Sequence, residues 1–558
     1  MATTQTGSFG TLSTSALGQS ITDMDAPQLM RPLQPTTLKE SGISVRVVEG
    51  LILKTIKQEG SLSEQQLAEM LRLSVNVFRD MVQALLHREL LDTPAPLHYD
   101  LTNKGRELCH HYESEDAYVG PAPVSFQSYV DMVQLQAKSS RRVTQEEVTN
   151  NFQKFPMRPE LLRILKEGFN SQRVIIFWGP PGNGKSLVTD NLHRLLKDPV
   201  CLPYAFEFNG RVVQIYDPAY HKLREDLMVK EEEETNKAIS AISKPDRRWL
   251  ISTPPLVTVG TEFRVEHFQI AYDGKYDAPP HVKANNGIFI FDDLGRQTQD
   301  HNMILNQFIY PLEQQEAIIK FAGGSSIRAP YKQRLFLSTN LNFRAIIDDA
   351  FARRLLFQVL VDRPTDELFT KIFINQCKDQ DIDDAIAQRL GRKLLGWYKR
   401  DGRVVRAADP RNIFTMLDAV LEEEEQLKDM ITDELFERIY NQYPIALEKD
   451  ATGYVIPQAT AEEFHQSVLD ACDRHEVDHD LAARLADNLL EWFQRDGRMF
   501  RPQDPDNIFA ILDGIREDTQ GVKDILTEEL FESVYQSYPP FTEADAERMQ
   551  GTVGLGGH

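Results

Sequence analysis

The chain has little of what a secreted, membrane-spanning or nucleic-acid-coating protein needs. Its four cysteines, Cys109, Cys201, Cys377 and Cys472, are spread over 558 residues. They form no CxxC pair, which argues against a zinc knuckle or a disulfide framework. Apolar runs are short: Val174–Trp178 spans five residues, against the roughly 20 that cross a bilayer. The opening MATTQTGSFGTL has neither a basic residue nor an apolar stretch, so no secretory signal is expected. Positive charge is short as well, with 62 Lys+Arg against 84 Asp+Glu and a net charge of −22. That excludes a generally basic surface for nucleic acid. These absences leave a reducing, cytoplasmic setting without membrane insertion.

What is present is ordinary globular material, 41% hydrophobic and 26% charged. The length suits three to four domains at about 150 residues each. The acidity is uneven: residues 451–558 carry 8 basic and 22 acidic side chains. Residues 1–41 are rich in Thr, Ser, Gln and Pro without an apolar period, and are expected to form a disordered tail. From Val45, apolar residues recur at helical spacing (Val48, Leu51, Ile52, Ile56). A second helix opens at Ser63 with Gln66 three residues on, a capping pattern. A third runs from about Ser74 to Glu89, and a short hairpin turns at Pro94-Ala-Pro. Three helices followed by a hairpin resemble a winged-helix domain, placed at residues 42–115. Between Glu40 and Tyr112 stand 8 basic and 10 acidic residues. Phosphate contacts supply most DNA affinity, so this balance favours a protein partner over nucleic acid. Gly120-Pro-Ala-Pro marks a linker, and residues 116–155 are expected to connect to the next domain.

The strongest signal starts at Val174. The apolar run Val174-Ile-Ile-Phe-Trp reads as a buried strand. Gly179-Pro180-Pro181-Gly182-Asn183-Gly184-Lys185-Ser186 follows, and the sequence from Leu187 is helical. This is G-x-x-x-x-G-K-[ST] between strand and helix. Glycines let backbone N–H groups close around phosphates, and the helix N-terminus favours negative charge. Lys185 would reach the β- and γ-phosphates, and the Ser186 hydroxyl would ligate Mg²⁺. A second apolar strand, Gly287-Ile-Phe-Ile-Phe, ends in Asp292-Asp293. Asp292 suits metal coordination and Asp293 suits orienting a water. A third, Arg334-Leu-Phe-Leu-Ser-Thr, ends in Asn340, and Arg353-Arg354 follow.

These parts, in this order, resemble the AAA+ ATPases over about Pro156 to Glu425. The resemblance implies an α/β fold: a P-loop parallel sheet flanked by helices (residues 156–364) with a helical lid (365–450). It implies ATP and Mg²⁺ as cofactors and self-association as a ring, often hexameric. Asn340 would be the sensor-1 residue, and Arg353 or Arg354 the arginine finger reaching a neighbour's ATP. Asp293 stands where the family usually has Glu, a side chain one methylene longer. Ala317–Arg328, with Gly323-Gly324 at its turn, resembles the hairpin before sensor 1 in the branch that includes MoxR-like chaperones. Pro255–Gly260 alternates like a strand added to the minimal core.

The C-terminal third repeats at an offset of 95 residues: Trp397-Tyr-Lys-Arg-Asp-Gly-Arg403 recurs as Trp492-Phe-Gln-Arg-Asp-Gly-Arg498, and Asp409-Pro-Arg-Asn-Ile-Phe as Asp504-Pro-Asp-Asn-Ile-Phe. The first copy stands where the lid belongs, so Arg411 matches the sensor-2 arginine. The second copy, within residues 451–558 and ending in an acidic tail, has Asp506 there and no phosphate loop. It is expected to be a lid-like helical module freed from nucleotide contact. The reading that results is an ATPase ring that remodels a protein partner chosen by the winged helix and the second copy. A DNA-linked loader or regulator and a non-catalytic nucleotide-gated scaffold are the alternatives.

Overall fold

The computed structural model describes residues 31–153, 155, 157–237, 244–321, 324–420, 431–444, 458–515 and 521–542. The expected tail over residues 1–30, the Gly323 side of the hairpin turn and the acidic end 543–558 lie outside the described residues. Among the described residues no helix is long and apolar enough to cross a membrane. The chain forms two compact units.

The first unit takes the chain up to Arg141 together with Lys197–Pro254 and Tyr272–Asp277. Helices Val45–Glu59, Glu64–Leu71 and Val75–His87 precede a hairpin of Leu91–Ala95 and His98–Leu101. Leu62–Ser63 pairs with the inner hairpin strand, Leu62 opposite Tyr99. Ser63 and Gln66 form a full capping box, and Val48, Ile52, Leu67, Phe78 and Val82 are fully buried beneath. A second sheet joins Val124–Ser125, Ala205–Phe208, Arg211–Gln214, Tyr276–Asp277 and Ala271–Tyr272.

Three boundaries differ from expectation. Residues 31–41 were expected in the tail, yet Leu33 bridges to Pro245. Buried Arg31 pairs with Glu231 at 2.6 Å, a partner 200 residues away that no local pattern reveals. The expected connector is also divided. Phe126–Ser139 packs into the first unit, with Tyr129 stacked on Phe206, while Gln145–Asn151 belongs to the second. Residues 197–254, expected within the ATPase core, fold with the first unit.

The second unit is α/β and is built on five parallel strands: β1 (Ile175–Trp178), β2 (Leu256–Val259), β3 (Ile288–Phe291), β4 (Arg334–Thr339) and β5 (Phe357–Leu360), in the order β2-β3-β4-β1-β5. Pro255–Gly260, expected as an addition, supplies the edge strand β2 of this sheet. Its alternation has a physical cause: an edge strand leaves Thr258 exposed while Val257 and Val259 are buried. Strands β1, β3 and β4 are covered on both faces and read as continuous apolar runs. The hairpin Glu316–Lys320/Ser326–Pro330 precedes β4.

At the C-terminal end of the unit, two copies at the 95-residue offset each show four main helices among the described residues. The first has Asp366–Asp379, Asp384–Arg400, Asp409–Asp418 and Asp433–Gln442; the second has Ala461–Arg474, His479–Arg495, Asp504–Ile515 and Glu528–Ser537. Each has its own core, with Cys377 and Cys472 at equivalent, fully buried positions. Burial pushes both thiols up to about 12, so neither is a nucleophile at neutral pH. The copies meet where Asp384–Arg400 crosses Asp504–Ile515. A Cβ on Gly396 would lie 3.1 Å from the Gly514 Cα, and the reverse distance is also 3.1 Å. The equivalent positions are Glu491 and Ala419, so this close glycine pair is formed once, between the two copies.

Candidate phosphate-binding site

Three neighbouring strands, β3, β4 and β1, release the sequence-predicted residues at one edge of the sheet. In register, Phe291 is level with Leu337, and Thr339 with Trp178. Asp292-Asp293, Asn340 and Gly179 therefore emerge within a residue or two of one level. This is the C-terminal edge, where ligands bind in open parallel sheets.

The Gly179–Ser186 loop leads from β1 into the helix Lys185–His193, whose N-cap is Gly184 with no side-chain cap. The first-turn N–H groups of the helix are thus left for an anion. Gly179 and Gly184 have φ of 134° and 91°, a region costly for residues with a Cβ. There is no room for one either. A Cβ would lie 2.4 Å from the Val361 carbonyl oxygen at Gly179 and 2.7 Å from the Phe155 ring at Gly184. Pro180 and Pro181 complete the turn, Asn183 is buried, and Ser186 and Leu187 are exposed at the helix start.

Lys185 Nζ donates to the carbonyls of Gly179 and Pro180, each at 2.9 Å. Burial pushes its pKa down to about 8, against the upward pull of Asp292 and Asp293. Asp293 has φ of 50°, a left-handed conformation that Asp tolerates better than most residues. Asn340 Nδ2 donates to Asp293 Oδ1 at 2.8 Å. The Asp293 N–H donates to Asp292 Oδ1 at 2.9 Å, and Gln297 Nε2 to the Asp293 carbonyl at 3.0 Å. Gln297, which the sequence did not single out, thus holds the acidic turn from behind.

The first four-helix copy reaches the same loop. The Ala408 N–H donates to the Gly182 carbonyl at 2.9 Å, and the Ala407 N–H to Asn183 Oδ1 at 3.2 Å. Arg411 lies in the first turn of Asp409–Asp418, directly after this contact, with its side chain exposed. Arg406, also missed from sequence, lays its stem over Gly182: a Cβ there would be 3.2 Å from Arg406 Cδ.

Arg353 and Arg354 are not part of this cluster. They precede β5 and line a cleft with Gln172 and Arg173, which precede β1. They therefore lie at the opposite edge of the sheet, separated from the loop by a four-residue strand, about 13 Å at 3.3 Å per residue. Arg354 is ion-paired with Glu313, whereas Arg353 is exposed.

The loop carries a pH signature. A phosphate held in this loop would face the Lys185 ammonium, whose pKa burial pushes down to about 8. ATP affinity is expected to be flat below about pH 7 and to weaken about tenfold per pH unit well above 8, with proton uptake on binding. Calorimetry at pH 8.5 in buffers of different ionisation enthalpy checks this; identical heats in every buffer would refute it.

No protein-family model and no curated protein sequence matches the chain. Among solved structures, NtrX from Brucella abortus in complex with ATP is 12% identical over 76% of this chain and 80% of that one, with a TM-score of 0.30. The ADP complex of the same protein is 11% identical over 81% of each chain, with a TM-score of 0.29. A further NtrX structure is 12% identical over 66% of this chain and 67% of that one, with a TM-score of 0.28. At this level the likeness carries no weight of its own, and the functional reading rests on the residues described above.

Proposed function

We propose that the chain is an Mg-ATP-dependent ATPase of the AAA+ kind, which works as a ring of subunits and remodels a protein partner. The observation that carries the reading is the convergence of the Gly179–Ser186 loop, Asp292-Asp293 and Asn340 at one edge of the parallel sheet. The residues fit a nucleotide with its metal. The glycine cradle has no room for side chains, Lys185 folds onto loop carbonyls, and the helix start is uncapped.

In this reading the loop N–H groups and Lys185 hold the β- and γ-phosphates. Ser186 and Asp292 would hold Mg²⁺, which neutralises charge on the phosphate oxygens. Asp293 accepts a hydrogen bond from the attacking water and orients it. Asn340 keeps Asp293 in place and offers its amide to the γ-phosphate. Arg411 approaches from the lid. The position of Arg353 prevents it from serving its own loop, which suits a finger acting on a neighbour; Arg354 is the poorer choice because Glu313 already holds it.

The winged-helix-like part favours protein over nucleic acid. The solvent face of Val75–His87 carries Asn76, Arg79, Asp80, Gln83 and His87, and Arg79 faces Glu64 at 3.5 Å. Little net positive charge is left for a phosphate backbone.

Asp293→Asn tests the reading. It keeps the hydrogen-bonding shape beside Asn340 but removes the base. It is expected to bind ATP with near wild-type affinity, to turn over at least about 100-fold more slowly, and to sediment as a ring that retains its partner. Wild-type turnover by this variant would refute the catalytic assignment.

A further inference from the structure

The two lid copies carry the same four-residue cluster. In the first copy it is Arg406, Asp409, Asn412 and Tyr443; in the second, 95 residues on, it is Arg501, Asp504, Asn507 and Tyr538. Three members are arranged alike. The tyrosine hydroxyl donates to the aspartate, at 2.7 Å for Tyr443–Asp409 and 2.6 Å for Tyr538–Asp504. The asparagine amide donates to the tyrosine, at 3.0 Å in the first copy and 2.9 Å in the second.

The arginine differs. Arg501 is 1% exposed. Its Nη2 stands 2.6 Å from Asp504 and donates to the Tyr538 hydroxyl at 2.9 Å, and its guanidinium lies 4.3 Å from the Phe541 ring centroid. Arg406 leaves the equivalent seat empty. Its backbone N–H donates to Asp409 at 3.0 Å and its carbonyl accepts from the Asp409 N–H at 3.1 Å, while its half-exposed side chain lies over Gly182 of the loop. Burial pushes the Asp409 carboxyl up, and the nearby Arg406 charge opposes that without a direct ion pair. Asp409 is 3% exposed, and no Lys or Arg side chain forms an ion pair with it among the described residues. A buried carboxylate without a cation is costly. The position equivalent to Phe541 is Ala446, which offers no ring to hold a guanidinium.

We infer that Arg406 is a two-position residue of the lid, whose guanidinium moves between the phosphates of a bound nucleotide and the Asp409 carboxylate. The inference rests on the nucleotide reading of the Gly179–Ser186 loop and adds to it a contact distinct from Arg411. With phosphate present, the guanidinium has a dianionic partner beyond Gly182 and the lid is held on the loop. With phosphate gone, Asp409 draws it back into the arrangement that Arg501 shows, and the lid is released. The second copy, with no loop to contact, keeps its arginine permanently in the inner seat.

The test is ATP affinity by calorimetry on the full chain, for wild type, Arg406→Ala, Arg406→Lys, Asp409→Asn and the double variant Arg406→Ala/Asp409→Asn. Arg406→Ala is expected to bind ATP about 10- to 100-fold more weakly. Arg406→Lys, which keeps the charge but not the fork, should fall between it and wild type. Asp409→Asn removes the competing seat, so it is expected to bind about three- to tenfold more tightly than wild type. The double variant should match Arg406→Ala, because without the guanidinium the seat has nothing to compete for. A merely structural Asp409 would give weaker binding in Asp409→Asn, and that outcome overturns the inference. So does wild-type affinity in Arg406→Ala. If Asp409→Asn loses its lid to unfolding, the ordering of the two Arg406 variants decides alone. A wild-type chain that binds no ATP overturns the nucleotide reading itself, whereas normal wild-type binding with unchanged variants overturns only the role of Arg406.

Discussion

Lys185→Ala is expected to abolish measurable ATP binding while leaving the chain folded. Lys185 Nζ is the cation inside the loop, held 2.9 Å from two loop carbonyls. It is the group that would meet the β- and γ-phosphates. Hydrogen bonds to charged partners contribute about 1.5–3 kcal/mol each, and each 1.4 kcal/mol is about tenfold in affinity. Loss of two such contacts predicts a fall of at least about 100-fold. Stability should move little, because the ammonium is itself disfavoured by burial and its removal relieves that cost. Calorimetric titration with Mg-ATP, beside a thermal melt, separates the two effects. A folded Lys185→Ala chain with wild-type affinity would sink the site assignment.

The second large effect is expected at Arg353. An arginine finger stabilises charge on the transferring phosphoryl group and contributes about 10³–10⁵ in rate. Arg353→Ala should therefore lose at least about a thousandfold in turnover with nearly unchanged ATP affinity. Arg354→Ala should lose far less, since its side chain is committed to Glu313. The placement of Arg353 at the far edge of the sheet makes a sharper demand. A Lys185→Ala subunit has no usable nucleotide site but keeps a finger, and an Arg353→Ala subunit has the reverse. Mixed together, two inactive variants should regain part of the wild-type activity. Steady-state phosphate release from defined mixtures measures this, and a mixture that stays as inactive as its components would exclude a finger shared between subunits.

Much of the site was legible because its chemistry is local. The loop's N–H donors are consecutive, its glycines are spaced for one turn, and Lys185-Ser186 sit at the helix start. Asp292-Asp293 and Asn340 were legible as polar ends of buried strands, a contrast that needs only a few residues on either side. Pro255–Gly260 was misjudged because an edge strand alternates like an accessory one, and only pairing with β3 distinguishes them. Arg406 was invisible for a different reason: Arg406-Ala-Ala-Asp409 differs little from Arg501-Pro-Gln-Asp504, yet one arginine is buried in its own copy and the other lies on the phosphate loop. No local pattern records that choice, since it depends on a loop more than 200 residues earlier in the chain.

The sequence by itself determined the glycine-rich turn between strand and helix, the acidic and asparagine strand ends and the α/β character of the core, because each is written in backbone geometry or periodicity over a dozen residues, and the repeat, because its two copies match residue for residue at a fixed offset. The tertiary structure alone decided which strands are neighbours, that residues 197–254 fold with the first unit, that Arg353 stands across the sheet from its own loop, and where Arg406 lies. Those outcomes follow from parallel pairing and side-chain burial between segments far apart in the chain, and the free energy of such contacts belongs to the pair rather than to either stretch of sequence.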